Sequence, residues 1–389
     1  MSERVKKRVT FYIEGYDPRG ARHYYKLYKS EAGKEAEKEG NSIEISERSR
    51  TGEHIQSCRI VHRSSGDGEN VLETATEYHF LEWDDIIRRH WGSSIISVYR
   101  DLLFFMWTYM PNGLILKLGR LAPYQMIAAF YPVIYLLGAP LMAGAVGYYL
   151  YDAMASMHLL LGVLSGAAAF WGIMRLSILI GNRIAVFWLL RIYAFCAQYG
   201  YGDVPELDAR IERFAERIAQ TLSRMEEEEI DEVLVVSHSV GTIVAIPILA
   251  KALERSGIGD EALKRLSVLS LGECIALVSF MPKATAYRES MRYLITAPNF
   301  CWLDYTSAID GGCSVQLDFY KHSGVLVERP DTPRYLSPRF HTLYTPQSYA
   351  VLSRNKYLAH FLYLMATEKD GGYNYIKMTS GHRRLCDYI

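Results

Sequence analysis

Two long stretches without a charged residue dominate the hydrophobic pattern of the chain. The first runs from Met126 to Tyr151 and the second from Ala153 to Met174, with Asp152 between them. A helix needs about 20 mainly apolar residues to cross a bilayer core, and each stretch is that long. The pattern therefore predicts two transmembrane helices joined as a hairpin. The alternative is a buried helical hairpin in a soluble domain, although fully apolar core helices rarely exceed about 14 residues.

Basic residues on the flanks predict how this hairpin is oriented. Lys117 and Arg120 precede the first span and Arg175 and Arg183 follow the second, whereas the connection has no lysine or arginine. By the positive-inside rule, both long flanks face the cytoplasm and the short connection lies outside. The segment 184–195 is apolar but contains an arginine, which favours a helix lying in the membrane interface over a third span.

Small residues recur at four-residue spacing within the two spans. Such a spacing lets two helices approach closely, either within the hairpin or between two copies of the chain. The expected partners of this region are therefore the lipid bilayer and, through the spans, a second copy in a homo-oligomer. The residues concerned are Ala139, Ala143 and Gly147 in the first span and Gly162 and Gly166 in the second.

Outside the spans, short apolar strands alternate with amphipathic helices. One helix has apolar residues at steps of three and four from Leu207 to Met225, which predicts a single stripe facing a sheet. This alternation is typical of α/β proteins with a parallel sheet. The predicted strands cover 8–14, 42–48, 54–63, 75–83, 233–236, 267–272, 276–280 and 300–305.

We therefore expect an α/β domain that is interrupted by the hairpin. Residues 1–120 would form its N-terminal part and residues 200–389 its C-terminal part. Residues 121–199 would form the transmembrane hairpin and the interfacial helix. Because antiparallel spans return the chain to the side it left, strands of both parts can join one sheet.

Composition excludes several other classes of protein. The 43 basic residues balance the 43 acidic ones, which argues against a nucleic-acid partner. No phosphate-binding glycine loop and no cluster of metal ligands occurs, so no cofactor and no metal is expected. The charged first thirty residues predict no cleavable signal peptide. Six scattered cysteines without a CxxC pair favour reduced thiols: Cys58, Cys196, Cys274, Cys301, Cys313 and Cys386.

A candidate nucleophile lies between an apolar strand and an apolar helix. The turn is Ser237-His238-Ser239-Val240-Gly241 and follows the strand residues 233–236. This is the setting of the nucleophile elbow, usually written G-x-S-x-G, in which a tight turn lifts a serine hydroxyl above the sheet. Ser237 stands where glycine is usual but is also small. The alternative interpretation is a structural strand-to-helix turn without catalysis.

With this turn, the chain resembles the α/β-hydrolase superfamily, and lipases and esterases in particular. The resemblance covers roughly 1–100 and 200–389 and is specific chiefly at the elbow. It implies an oxyanion hole formed by the backbone N–H of Val240 and by an N–H from the loop after an early strand. The best match for the second donor is Tyr16. Lipases often have His-Gly in that loop, whereas this chain has Glu14-Gly15.

The resemblance implies the chain order serine, acid, histidine for the catalytic groups. Asp310 lies beyond the end of the strand 300–305, where the acid of such a triad stands. Asp304 lies inside that strand and is expected to be structural, and Asp318 is the reserve candidate. An aspartate before two glycines is also common in ordinary turns.

Two histidines remain open as the base. His341 is predicted on a loop before a helix, and His360 lies in a His-x-x-Tyr pattern that opens the last helix in some hydrolases. Either could instead be a hydrogen-bonded core histidine. His238 is a poor base because neighbouring side chains on the turn point apart, so it is expected to shape the pocket or meet the substrate.

These features together predict a membrane-anchored serine hydrolase with its catalytic domain facing the cytoplasm. The spans favour an ester or thioester of a lipid or other acylated amphiphile as substrate, cleaved through an acyl-enzyme. Two alternatives remain: a non-catalytic hydrolase-like scaffold that binds lipid or a protein, and a membrane serine peptidase.

Overall fold

The computed structural model describes residues 4–65, 71–92, 94–111, 113–297, 299–325 and 332–389. In these residues the chain has a mixed α/β fold, in which helices flank a mostly parallel sheet, as the sequence predicts. The strands are β1 (Lys7–Ile13), β2 (Ser42–Ile45), β3 (Ser49–Gly52), β4 (Ile55–Ser65), β5 (Val71–Leu81), β6 (Glu232–His238), β7 (Leu266–Leu271), β8 (Cys301–Tyr305) and β9 (Arg334–Leu336).

The described helices alternate with these strands outside the apolar region. They are α1 (Gly20–Glu39), α2 (Asp84–His90), α3 (Ile95–Tyr109), α4 (Leu114–Leu121), α5 (Pro123–Ala155), α6 (Leu159–Arg183), α7 (Val186–Tyr201), α8 (Pro205–Ser223), α9 (Gly241–Ser256), α10 (Asp260–Leu263), α11 (Ala276–Ser279), α12 (Thr285–Thr296), α13 (Phe319–His322), α14 (Phe340–Leu343), α15 (Pro346–Arg354), α16 (Lys356–Phe361) and α17 (Tyr375–Ser380). Short 3-10 helices cover Leu362–Leu364 and Leu385–Tyr388.

The sheet brings together strands from both sides of the apolar helices in sequence. Its order is β2-β4-β5-β1-β6-β7-β8-β9, and β3 pairs with β4. From β5 to β9 the neighbours are parallel, whereas β2, β3 and β4 make antiparallel pairs. The pairing of β1 with β6 sets Ile13 opposite Ser237. The carboxyl ends of these two strands therefore meet at one edge, where open parallel sheets usually place their sites.

A buried ion pair and an apolar core hold this central pairing. Arg8 Nε of β1 donates to Glu232 Oε2 of β6 at 2.7 Å, and both side chains are fully buried. The predicted stripe of α8 is buried, with Leu207, Ile211 and Phe214 in the core on one face of the sheet. Helix α1 and the C-terminal helices pack on the other face.

Helices α5 and α6 are long and apolar enough to span a membrane. They have 33 and 25 residues, or about 50 and 38 Å at the usual rise of about 1.5 Å per residue. They pack closely: a Cβ added to Gly147 would lie 3.0 Å from the carbonyl oxygen of Gly166. The predicted small residues therefore join the two helices of one hairpin. Their outward side chains are largely apolar and exposed, among them Leu141, Met142, Leu164, Trp171 and Leu179.

Three local predictions differ from the structure. Residues 276–280 were predicted as a strand, but Ala276–Ser279 form a short helix because the chain turns away from the sheet after β7. The segment 184–195 is not an interfacial helix on a free surface: from Val186 onward it belongs to α7, most of whose residues are buried in the core. Cys301 and Cys386 form a disulfide, whereas the other four cysteines are free and buried. The expectation of six reduced thiols is therefore wrong for this pair.

Candidate active site

Ser239 occupies a tight turn between β6 and α9. Its φ is 55°, a left-handed conformation that residues other than glycine rarely adopt, so the turn is strained. The turn also brings α9 against the end of β1: a Cβ on Gly241 would lie 2.6 Å from the carbonyl oxygen of Glu14. Only glycine fits this approach. The residue types of the predicted elbow thus have a steric reason in the structure.

Two backbone amides beside Ser239 are available as donors. The Ser239 carbonyl accepts from the backbone N–H and the hydroxyl of Thr242, at 2.9 and 2.6 Å. The Gly15 carbonyl accepts from the N–H of Asp17 at 2.8 Å. In a trans peptide the next N–H points the opposite way, so the N–H groups of Val240 and Tyr16 point away from these bonds. Neither amide donates to another group in the described part of the chain.

The loop that carries Tyr16 is fixed against the serine. A Cβ on Gly15 would lie 3.0 Å from Ser239 Cβ, so the two backbones are in close contact. The indole of Trp83 donates to the Glu14 carbonyl at 3.0 Å, and the indole of Trp188 donates to the Tyr16 carbonyl at 3.1 Å. The Tyr16 ring is buried against Trp91 and Phe195. The Tyr16 side chain is therefore held in the core, and the backbone of Gly15 contacts the serine.

Asp310 and His360 form a buried pair. Nδ1 of His360 lies 2.9 Å from Asp310 Oδ1, which also accepts from the Gly312 N–H at 2.9 Å. Burial alone would raise the pKa of Asp310, but the charge and hydrogen bond of His360 lower it below its usual range. Burial works against charging His360, yet Asp310 raises the pKa of its imidazole above 6.5. With Nδ1 bonded to the carboxylate, Nε2 remains as the nitrogen that can exchange a proton.

His238 positions the element that carries His360. Its Nε2 lies 2.9 Å from the backbone carbonyl oxygen of His360 and donates to it. Burial lowers the pKa of His238 to about 3, so the ring is neutral at ordinary pH. His238 therefore donates to the backbone of the helix that carries the candidate base. A histidine held as a hydrogen-bond donor in this way is a poor base, as the sequence predicts.

The remaining candidates lie elsewhere or serve the fold. His341 is an exposed residue of α14, so the structure places His360 and not His341 beside Asp310. Asp304 is buried inside β8, where desolvation raises its pKa to about 8. Asp318 caps α13 by accepting from the Lys321 N–H at 2.9 Å.

Ser239, Asp310 and His360 line one cavity of about 640 Å³. Pockets of about 300–1,000 Å³ commonly hold small-molecule ligands. The rest of the wall is mostly apolar or aromatic and comes largely from α5, α7 and the start of α16. It includes Tyr124, Ile127, Tyr131, Ile184, Trp188, Leu189, Ile192, Leu277 and Tyr357.

The first turn of α5 is bonded to the loop that carries Asp310. Gln125 Nε2 donates to the Gly312 carbonyl at 3.1 Å, and the Ser314 hydroxyl donates to Gln125 Oε1 at 2.9 Å. The Tyr193 hydroxyl of α7 donates to the Gln125 carbonyl at 2.9 Å. The apolar hairpin and the site are therefore parts of one hydrogen-bonded structure.

Sequence reasoning missed the residues that support the site. Trp188 and Gln125 lie in segments whose pattern predicts only an association with the membrane, and nothing in the local pattern marks Trp188 as part of a pocket. A polar glutamine at the start of an otherwise apolar run was the one available signal. No family model matches the chain, no curated protein matches it, and no solved structure matches it.

Proposed function

We propose that the protein is a serine hydrolase that cleaves an ester or thioester of a lipid or other acylated amphiphile. The observation that carries the proposal is the convergence of Ser239, His360 and Asp310 on one cavity beside two unbonded backbone amides. It also fits the resemblance of the strand–Ser237-x-Ser239-x-Gly241–helix unit to α/β-hydrolases, with the chain order serine, acid, histidine.

In the proposed reaction His360 Nε2 takes the hydroxyl proton of Ser239 as Oγ attacks the acyl carbon. The negative charge that develops on the carbonyl oxygen is stabilised by the N–H groups of Val240 and Tyr16. The imidazolium, held by the ionised Asp310, gives its proton to the departing alcohol or thiol, which leaves an acyl-enzyme. Water then adds to the acyl carbon, its proton passes through His360 to Ser239, and a carboxylic acid is released.

The amphiphilic substrate is proposed from the position of the cavity. Tyr124, Ile127 and Tyr131 of the first apolar helix line it, as does Ile184 at the end of the second. With the hairpin in a bilayer and its basic flanks in the cytoplasm, the cavity lies next to the membrane surface. An acyl chain is insoluble in water, so a site in contact with membrane helices is where such a substrate is concentrated.

An active-site probe tests the proposal. A fluorophosphonate should add once to the wild-type protein, as measured by intact-protein mass spectrometry, and should not add to Ser239→Ala. The matched control is Ser290→Ala, which removes a half-buried serine of α12 that does not line the cavity. Absence of an adduct on wild type would favour the non-catalytic scaffold. An adduct that persists in Ser239→Ala would show that Ser239 is not the nucleophile. Comparing the rates of hydrolysis of acyl esters and of peptides then distinguishes an esterase from a peptidase.

A further inference from the structure

The cavity combines an apolar wall with a group of cationic side chains. Arg183 is the last residue of the second apolar helix, and Arg354 and Lys356 flank the junction of α15 and α16. All three side chains line the cavity and are exposed. Among the described lining residues the single carboxylate is Asp310, which is bonded to His360. The open side of the cavity is therefore positively charged.

These three cations lack acidic partners in the described part of the chain. Some other arginines are held by carboxylates: Arg210 lies 2.9 Å from Asp85, for example, and Arg8 lies 2.7 Å from Glu232. By contrast Arg183, Arg354 and Lys356 form no ion pair with a described acidic residue, and the Lys356 ammonium reaches only the Ile309 carbonyl at 3.3 Å. In a chain with equal numbers of basic and acidic residues, three unpaired cations around one apolar cavity provide a place for an anion.

The apolar wall connects the cavity to the outer surface of the hairpin. Ile127 is 67% exposed and Ile184 is 42% exposed, although both line the cavity. Leu179 and Ile180, one turn before Ile184 on the second apolar helix, are also exposed. An acyl chain can thus lie along α5 and α6 and reach Ser239 without crossing water.

We propose that the substrate is an acyl ester with a phosphate-bearing head group, which reaches the site from the bilayer. This inference rests on the proposed function and adds to it the class of substrate. The acyl chain would lie on the apolar wall, and the phosphate would be bound by Arg354 and Lys356 with Arg183. Guanidinium and ammonium groups bind phosphate oxygens through charge-assisted hydrogen bonds. Hydrolysis consumes water and releases a fatty acid and the phosphate-bearing alcohol.

The test compares substrates that share one acyl chain and differ in the head group. Wild-type protein in neutral lipid vesicles is given lysophosphatidic acid, the corresponding neutral monoacylglycerol, and the acyl-CoA thioester. We expect kcat/KM for lysophosphatidic acid to exceed that for the monoacylglycerol by on the order of 10- to 100-fold, the effect of one or two charged hydrogen bonds. A higher kcat/KM for acyl-CoA than for lysophosphatidic acid would show that the preferred phosphate-bearing substrate is a soluble thioester. It would contradict the proposal that the substrate comes from the bilayer.

Charge-removing variants complete the experiment. The double variant Arg354→Gln with Lys356→Gln, and Arg183→Gln, should reduce kcat/KM for lysophosphatidic acid much more than kcat/KM for the monoacylglycerol, so that most of the preference is lost while the fluorophosphonate still adds to Ser239. Arg292→Gln, an exposed arginine that does not line the cavity, is the control for a change of charge and should keep the preference. Equal rates on charged and neutral esters in wild type, with labelling intact, would refute this inference alone. Loss of labelling at Ser239 would refute the proposed function.

Discussion

His238 Nε2 donates to the backbone carbonyl of His360 at 2.9 Å, so the residue before the candidate nucleophile holds the helix that carries the candidate base. The bond joins the end of β6 to α16, two elements more than a hundred residues apart in sequence. Because the depressed pKa of His238 keeps it neutral, the bond should persist across the physiological pH range. The distance between serine and base is therefore set partly by a third residue.

Replacing this donor should lower activity without removing a catalytic group. His238→Phe keeps an aromatic ring near Phe361 but leaves the buried His360 carbonyl without its donor. We expect a loss of about 1–3 kcal/mol in the free energy of unfolding. We also expect kcat to fall and the kinetic pKa of His360 to move, since its ring is less well held. His341→Phe, at an exposed histidine, is the control; equal behaviour of the two variants would show that the bond has no positioning role.

The acid and the base are tested by their own substitutions. Asp310→Asn and His360→Ala should each reduce kcat by about 10³- to 10⁴-fold, as is usual for members of such triads. Circular dichroism should show that both variants remain folded. His341→Ala should keep near-wild-type turnover. If His360→Ala retains turnover and His341→Ala does not, the assignment of the base is wrong.

The pH dependence follows from the raised pKa of His360. Only the neutral imidazole can accept the serine proton, so kcat/KM should increase with pH through a pKa above 6.5. Asp310→Asn removes the charge that raises this pKa, so any residual activity should titrate at lower pH. The Asp310–His360 ion pair also makes the free energy of unfolding depend on pH, in the direction opposite to activity. Its contribution is present below about pH 6.5, the usual pKa of an imidazole, and is lost as pH rises through the folded-state pKa of His360. A profile that falls between pH 6 and 8 would contradict this assignment.

Glycine substitutions separate steric fit from chain flexibility. Gly241→Ala would set a methyl group against the Glu14 carbonyl, so we expect a loss of about 1–3 kcal/mol in the free energy of unfolding, measured by denaturant titration. Gly33→Ala is the matched control, because an added Cβ meets nothing within 4 Å in the middle of α1. That variant should gain about 0.5–1 kcal/mol, since alanine favours a helix. Equal effects at both positions would contradict the explanation that Gly241 is required by its close approach to the Glu14 carbonyl.

The membrane arrangement is tested by extraction and labelling. Carbonate treatment should leave the full-length protein in the membrane pellet. A cysteine at Ser156, in the turn between α5 and α6, should react with an impermeant maleimide added to intact cells, and one at Ser337 should react only after lysis. Background labelling should be low because the four free cysteines are buried. Labelling of Ser337→Cys in intact cells would show that this part of the chain faces outside, contrary to the proposed orientation.

Local pattern predicted what depends on local interactions. An all-apolar strand before Ser239, an amphipathic α8 and two long apolar runs each have a period that identifies the element. The choice between His341 and His360 depended on tertiary placement, which a single sequence does not reveal. The helix after Pro346 ends at Arg354, and Asn355 caps a new one, so that His360 turns toward Asp310. The short run 276–280 looked like a strand because buried helices and buried strands are equally apolar over four residues.

The pairing of β1 with β6 has a consequence for how the molecule is made. Residues 7–13 leave the ribosome early, yet their neighbours at 232–238 are synthesised only after both apolar helices. Contacts of such long sequence separation form late, because the intervening chain must first be ordered. The hairpin can be inserted into a bilayer by then. The Gln125 side chain would then be in place to donate to the Gly312 carbonyl when the loop with Asp310 is synthesised. Under this order of assembly, the proposed catalytic centre would be completed only after the whole apolar hairpin has been synthesised.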